Sequence, residues 1–513
     1  MTRRDALRLI GAGAAPLGLI GRDAFGHPKP TAQIAGFVPD VELTLTASPG
    51  EARILPGKPT AVWKFSGAVT KGPAETLETL PDSYLGPTLR FRRGQRVRIR
   101  FINGLPEPSI VHWHGLDVPE KADGHPHLAI GPNREYIYEF QVTNQAGTYW
   151  YHPHPHERTG VQVYRGLAGM LVVSDDEERA LGLPDGAQDV LCVLQDRRFD
   201  AENQLAYLSG GMMDQMHGLL GDRILVNGRI APVVNVASRG YRLRLLNGSS
   251  SRVYKLAWSD GTPLTIIGNG ASLLDRPRAQ RYLTLAPAQR ADVFVDFSGR
   301  AVGTSVELRT AAYPASDVDQ TAGGMGMMGG AANASANGAA VSLMTLRVDR
   351  QEVSSYKLPQ RLAAYGPMWA LKTGAPIRRV PISFAAGQWL LDGRAFDMMG
   401  TAPEEDVRAG STQIWEITNV SGMMGMPMAH PMHVHGLPFR VLSREPVSGT
   451  AGSSSIREGL LDEGWMDTVL ILPNERIRLQ VTFTQYPGLY LYHCHILEHE
   501  DMGLMRNFRV LPR

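Results

Sequence analysis

Four pairs of histidines in this chain are separated by a single residue: His112/His114, His152/His154, His433/His435 and His493/His495. Side chains on a β-strand alternate between its two faces, so each pair would present two imidazoles side by side. One such pair is common on a solvated face and carries little weight. Two more histidines, His430 and His499, complete the last two motifs, so ten of the 15 histidines fall in four short stretches. Cys494 sits inside one of them. A set of two histidines and a cysteine with a weak axial ligand describes a blue-copper electron-transfer centre. On a strand, Cys494 cannot share a face with its neighbours His493 and His495. Its sulfur is expected to point towards His430 and His499, while the eight paired imidazoles build a separate cluster behind it. The peptide links through Cys494 would be the wire between the two. Zinc is the structural alternative, but it prefers four ligands per site and gains nothing from a back-to-back layout.

Strands must position these ligands. From residue 38 on, short β-branched runs alternate with Gly, Pro and Asn breaks, the rhythm of an all-β sandwich. Three segments share one pattern of a turn glycine, a strand of alternating polar and apolar residues, and an Asn: Gly94–Asn103, Gly240–Asn247 and Gly410–Asn419. The first and third run on to His-X-His-Gly-Leu at His112–Leu116 and His433–Leu437; the second has no histidines there. A second element repeats as well, Ala146–His154 paralleling Pro487–His495. Such self-similarity predicts three related domains, with boundaries near 38–178, 179–350 and 360–513. The outer two carry the ligands. The stretch Gly323–Ala340 is low-complexity and is expected to be a loop closing the middle domain, and the Pro-containing stretch around Leu358–Pro367 reads as a linker.

Composition agrees with this reading and excludes others. A length of 513 residues suggests about three domains. A net charge of +2 gives no electrostatic case for nucleic acid or an anionic membrane. A mean hydropathy of −0.16, without an apolar run long enough to span a bilayer, predicts no membrane span. Two cysteines, Cys192 and Cys494, exclude a disulfide scaffold, and Cys192, in the apolar run Val190–Leu194, is expected to be a buried inert thiol. Residues 1–30 read as a twin-arginine signal region: Arg3-Arg4 is followed by the weakly apolar Leu9–Ala15 and Leu17–Ile20. The expected route is the twin-arginine export machinery and the expected location the periplasm or beyond.

The four motifs together identify the family. His112-Trp113-His114-Gly115, His152-Pro153-His154, His430-Pro431-Met432-His433-Val434-His435-Gly436 and His493-Cys494-His495-Ile496-Leu497-Glu498-His499 resemble the copper motifs of multicopper oxidases, in particular three-domain bacterial laccases and cuprous oxidases. Arg158-Thr159-Gly160, Gly166–Gly169 and His499-Glu500-Asp501 are shared with them too. The resemblance implies three consecutive cupredoxin-like Greek-key β-sandwich domains and four copper ions. Type 1 copper would take His430, Cys494 and His499. Type 2 would take His112 and His433. The type 3 pair would take His114, His152, His154, His435, His493 and His495. A reducing substrate would lose electrons singly at the type 1 site, and dioxygen would be reduced to water at the cluster. The resemblance also points to Asp123 and Glu500 as proton suppliers, the alternative being that each only orients a histidine. His125, His127, His156 and His217 lie outside the motifs and are expected on the surface or behind the ligands.

Two features bear on substrate. In many bacterial relatives a methionine follows the last histidine by five residues as axial ligand; here that position is Leu504, flanked by Met502 and Met505. A leucine would leave the type 1 copper effectively three-coordinate and raise its potential, unless a shifted Met505 takes the place. Methionines also cluster at 212, 213 and 216, at 325, 327 and 328, and at 423, 424, 426, 428 and 432. Thioethers suit Cu(I), and equally they fill irregular gaps. The high-potential site favours a laccase-like oxidase of phenols and aromatic amines; the methionines favour oxidation of Cu(I). From a different class, the alternative is a non-catalytic copper-binding or scaffold protein of the same fold. A monomer is expected.

Overall fold

The computed structural model describes Ile34 and residues 36–320, 337–420, 427–447, 454–483 and 486–513. The signal region 1–30 and methionines 325, 327, 328, 423, 424 and 426 lie outside the described residues. The chain folds into three cupredoxin-like β-sandwiches, each of two sheets, with a few helices of one or two turns. Among the described residues, no helix is long and apolar enough to cross a membrane.

The three repeated segments form equivalent strands, Arg96–Asn103, Gly240–Asn247 and Thr412–Asn419. Each lies inside its sheet, parallel to one neighbour and antiparallel to the other. In the first domain the alternation is plain, with Val97, Ile99 and Phe101 fully buried in a core shared with Trp113 and Tyr151. The middle strand is buried along its whole length. There Arg242 and Arg244 are ion-paired with Glu178, Asp189 and Asp292 beneath the first domain. Ion pairing is what permits two arginines to be buried at positions the pattern alone would place in water.

The recurring Asn has one job in all three copies: its side-chain amide pins the next loop. Asn103 donates to Glu107 O and Ile130 O, Asn247 to Arg252 O and Leu285 O, and Asn419 to Met428 O and Leu472 O. In the third domain this ties down the residue two positions before His430.

The second repeated element forms the strands Gly147–Pro153 and Gly488–Cys494, each inside a five-stranded sheet. The first pairs with Val111–His114 so that His112 faces His152; the second pairs with His430–Val434 so that His433 faces His493 and Met432 faces Cys494. Directly opposed residues share a face. The stretch between the second and third domains is not loose: Leu362 is buried and its amide donates to Asp275 O.

Candidate metal centre

The eight paired histidines of the outer domains meet with no more than 1% of their surface exposed. Their ring nitrogens gather in sets that could each grip one ion: His114, His152 and His495; His154, His435 and His493; and His112, His114 and His433. Every set draws on both domains, so the cluster exists only where they meet. His112 Nε2 lies 3.3 Å from His433 Nε2, His435 Nε2 3.1 Å from His493 Nε2, and His154 Nε2 3.4 Å from His493 Nε2.

Backbone and carboxylate oxygens orient most of these rings. His112 Nδ1 donates to Asp123 O at 2.6 Å, His433 Nδ1 to Asp467 O at 2.7 Å, His152 Nδ1 to Pro153 O at 2.9 Å and His493 Nδ1 to Cys494 O at 3.0 Å. His435 Nδ1 donates to Asp123 Oδ2 at 2.8 Å. Each therefore turns an unprotonated Nε2 towards the centre. Fixing the far nitrogen in this way is how proteins select a ligand's tautomer.

The chemistry of the donor set fits copper ions. Burial holds all these imidazoles well below their ordinary pKa, His152 near 3 and His493 near 4, so they are neutral and offer lone pairs. His114 Nδ1, His152 Nε2, His154 Nδ1 and both His495 nitrogens are buried without a hydrogen-bond partner in the protein. A buried polar atom left unpaired costs roughly 1–3 kcal/mol, and bound cations would satisfy several at once.

On the other face of the strand Gly488–Cys494, Cys494 Sγ lies 3.4 Å from His430 Nδ1 and 3.8 Å from His499 Nδ1, all three residues buried. Burial raises the thiol's pKa, so a thiolate here needs a cation beside it. His499 Nε2 donates to Met216 O at 3.0 Å, from the first methionine-bearing segment, and Trp389 packs on the rings of His499 and His430 at 4.7 and 5.1 Å. Leu504 is fully buried in the same apolar cluster as Cys494, and Cys494 N donates to Leu504 O. Met505 faces His493 across the strand pair, which puts its thioether on the imidazole face and away from the sulfur. Met502 packs against the apolar cluster only in part.

Both carboxylates named from sequence sit at the cluster and are buried. Glu500 lies 3.4 Å from His154 Nε2 and 3.3 Å from His493 Nδ1. Asp123 Oδ1 has no hydrogen-bond partner and lies 3.6 Å from His112 Nδ1. Burial raises both groups well above the ordinary carboxyl range. Among the described residues, the four other histidines join none of these sets: His125 is buried and bonds Asn507 and His127, His217 pairs with Asp319, and His127 and His156 are half-buried. Cys192 is buried against Met344, its thiol pushed up to about 12 by burial. Sequence reasoning missed Asp467, Thr468, Arg290 and Trp389. None lies in a histidine motif, and nothing in their own spacing marks them.

Against Ala429, Pro431 and Ile496 lies a cavity of about 120 Å³, whose lining also includes His217, Val318, Asp319 and Met428. Its walls are mainly apolar, and it reaches the residues on either side of His430.

Comparison with known proteins agrees with the site. Family models described as multicopper oxidase match residues 64–178 and 377–513. The chain is 30% identical to a laccase of Bacillus stratosphericus over 88% of its own length and 91% of the relative's. It is 29% identical to the cell division protein FtsP of Escherichia coli strain K12 over 100% and 99% of the two chains. The crystal structure of the McoA multicopper oxidase of Aquifex aeolicus superposes with a TM-score of 0.76 at 31% identity, covering 92% of this chain and 97% of that one. The chain belongs to the multicopper oxidase family.

Compared with a non-coordinating leucine, an axial sulfur donor adds electron density that favours the oxidised ion, so Leu504→Met should lower the potential of a copper ion held by His430, Cys494 and His499. For one electron, about 59 mV is a tenfold change. A fall on the order of 100 mV, or roughly 2.3 kcal/mol on the same scale, is expected in a redox titration with the blue colour kept. No fall would mean that another side chain already occupies the axial position.

Proposed function

We propose that this protein is an exported, laccase-like oxidase that takes electrons from phenols, aromatic amines or Cu(I) and passes them to dioxygen, forming water. The observation that carries this reading is the convergence of eleven ligands into one His2Cys set and one eight-histidine cluster, joined by the peptide bonds on either side of Cys494. Type 1 copper is assigned to His430, Cys494 and His499, type 2 to His112 and His433, and the type 3 pair to His114, His152, His495 and His154, His435, His493. Four coppers would supply four one-electron carriers, the number that dioxygen needs.

The chain's own residues do the rest. Cys494 Sγ faces the electron entry, while its neighbours His493 and His495 face the cluster, so an electron crosses the strand through covalent bonds. Asp123 accepts the His435 Nδ1 proton through Oδ2, and its raised pKa lets Oδ1 carry a proton to be given up as water forms. Glu500 holds a second proton between His154 and His493. The apolar cavity by His430 suits a small organic reductant. Asp319 on its wall immediately precedes the segment that holds methionines 325, 327 and 328, whose thioethers suit Cu(I) as a substrate.

The likeness to FtsP spans the whole chain and carries a second reading, a non-catalytic role in cell division. The complete ligand set favours the oxidase, because a scaffold gains nothing from eleven buried ligands.

Cys494→Ser should abolish the blue absorption and oxygen uptake while leaving the circular dichroism unchanged; a blue, active Cys494→Ser protein would remove the type 1 assignment. Asp123→Asn and Glu500→Gln should each slow oxygen uptake by something on the order of 10²-fold or more with the blue colour kept, as loss of a general acid does. Wild-type turnover in both would make these carboxylates mere anchors. Deleting residues 323–330 should reduce Cu(I) oxidation and leave phenol oxidation equal or faster; equal loss on both substrates would give the segment a purely supporting role.

A further inference from the structure

One histidine of the cluster is turned the other way. His114 directs Nε2 away from the free nitrogens, 3.0 Å from Asp467 Oδ1 and 3.0 Å from Thr468 Oγ1, and leaves its buried Nδ1 without a partner. The Thr468 hydroxyl already donates to Asp467 Oδ1 at 2.9 Å, so the proton between His114 and this pair belongs to Nε2. The free lone pair is then on Nδ1.

What holds Asp467 comes from the middle domain, which has no ligands of its own. Arg290 is completely buried and forks onto the carboxylate, Nη1 to Oδ1 at 2.6 Å and Nη2 to Oδ2 at 2.5 Å. Its remaining donors reach Thr148 O in the first domain at 3.0 Å and its own domain's Ala288 O at 3.1 Å. One guanidinium thus joins all three domains behind the cluster. Gln289, its neighbour in sequence, donates to Thr468 O.

The glycine that follows His114 gives an independent sign that this contact is built in. Gly115 has φ +89°, and a Cβ there would stand 2.5 Å from Asp467 Oδ2 and 3.2 Å from Arg290 Nη2. Any side chain would push the pair off His114. The glycine of the first His-X-His-Gly motif is therefore needed for room as well as for its turn.

We propose that Arg290 is a positioning residue for the copper cluster: through Asp467 it fixes the ring of His114 so that Nδ1 is presented to a copper ion. The middle domain then serves the cluster by locking one ligand's tautomer and orientation. This rests on the copper reading above, with His114 as a cluster ligand. Partners of this kind change metal affinity by about 10–100-fold when removed.

The test uses full-length protein loaded with copper. Arg290→Gln should keep the blue type 1 absorption and about one copper per chain. Its cluster copper should leave to a chelator at least about tenfold faster than in the wild type, and Arg290→Lys should recover part of the loss. Copper per chain is counted by mass spectrometry, and thermal unfolding of the copper-free proteins is followed in parallel. Should Arg290→Gln fold poorly, Asp467→Asn asks the same question, since it keeps an oxygen for His114 and weakens the clamp; faster cluster-copper release is again expected. If the copper-free variants merely unfold at lower temperature while cluster copper leaves at the wild-type rate, the proposal is overturned and the clamp is a domain fastener. A wild-type chain that holds only the type 1 copper would instead overturn the oxidase reading, and this proposal with it.

Discussion

Side-chain alternation along a single strand, Gly488–Cys494, is the constraint on which the metal chemistry depends. Because adjacent residues face opposite ways, Cys494 looks into the third domain's apolar core with His430 and His499, while His493 and His495 look across at the first domain. The sheet fixes the spacing, and the antiparallel pairing with His430–Val434 repeats the same division, placing His433 with His493 and Met432 with Cys494.

That arrangement is expensive in the free protein. Neutral imidazoles face one another at 3.1–3.4 Å, and several nitrogens have no partner. Metal binding and folding are coupled in such sites, since ions that bind only the native chain stabilise it. The cost is contained by packing: the rings lie between two β-sandwiches, with Trp150 stacked on His152 at 4.3 Å and His114 stacked on His433 at 3.7 Å. Buried ion pairs cross the domain boundaries, Arg242 of the middle domain with Glu178 of the first and Arg290 with Asp467 of the third, so the outer domains are held in one relative position.

The histidine motifs were legible in the sequence because the ligands come in local pairs at the strand period, and period two has an unambiguous geometric meaning. The three-domain repeat was legible for a related reason: a turn glycine, an alternating strand and an Asn recur, and the structure gives the Asn a job, pinning the next loop. The supporting residues were not legible. Asp467 and Arg290 are 177 positions apart, and nothing local ties either to His114. Trp389, which covers His430 and His499, comes from an edge strand with no metal motif. The axial question was open in the sequence, where Leu504 and Met505 are adjacent. Register answers which face each occupies, because Met505 is paired with His493.

The most direct test of the central claim is an anomalous-scattering map at the copper edge from crystals of the copper-loaded protein. The account predicts four peaks: one within bonding distance of Cys494 Sγ, His430 Nδ1 and His499 Nδ1, and three among the eight paired imidazoles, one of them beside His114 Nδ1. A map with no peak beside Cys494, or with fewer than three peaks in the imidazole cluster of a fully loaded chain, would contradict it.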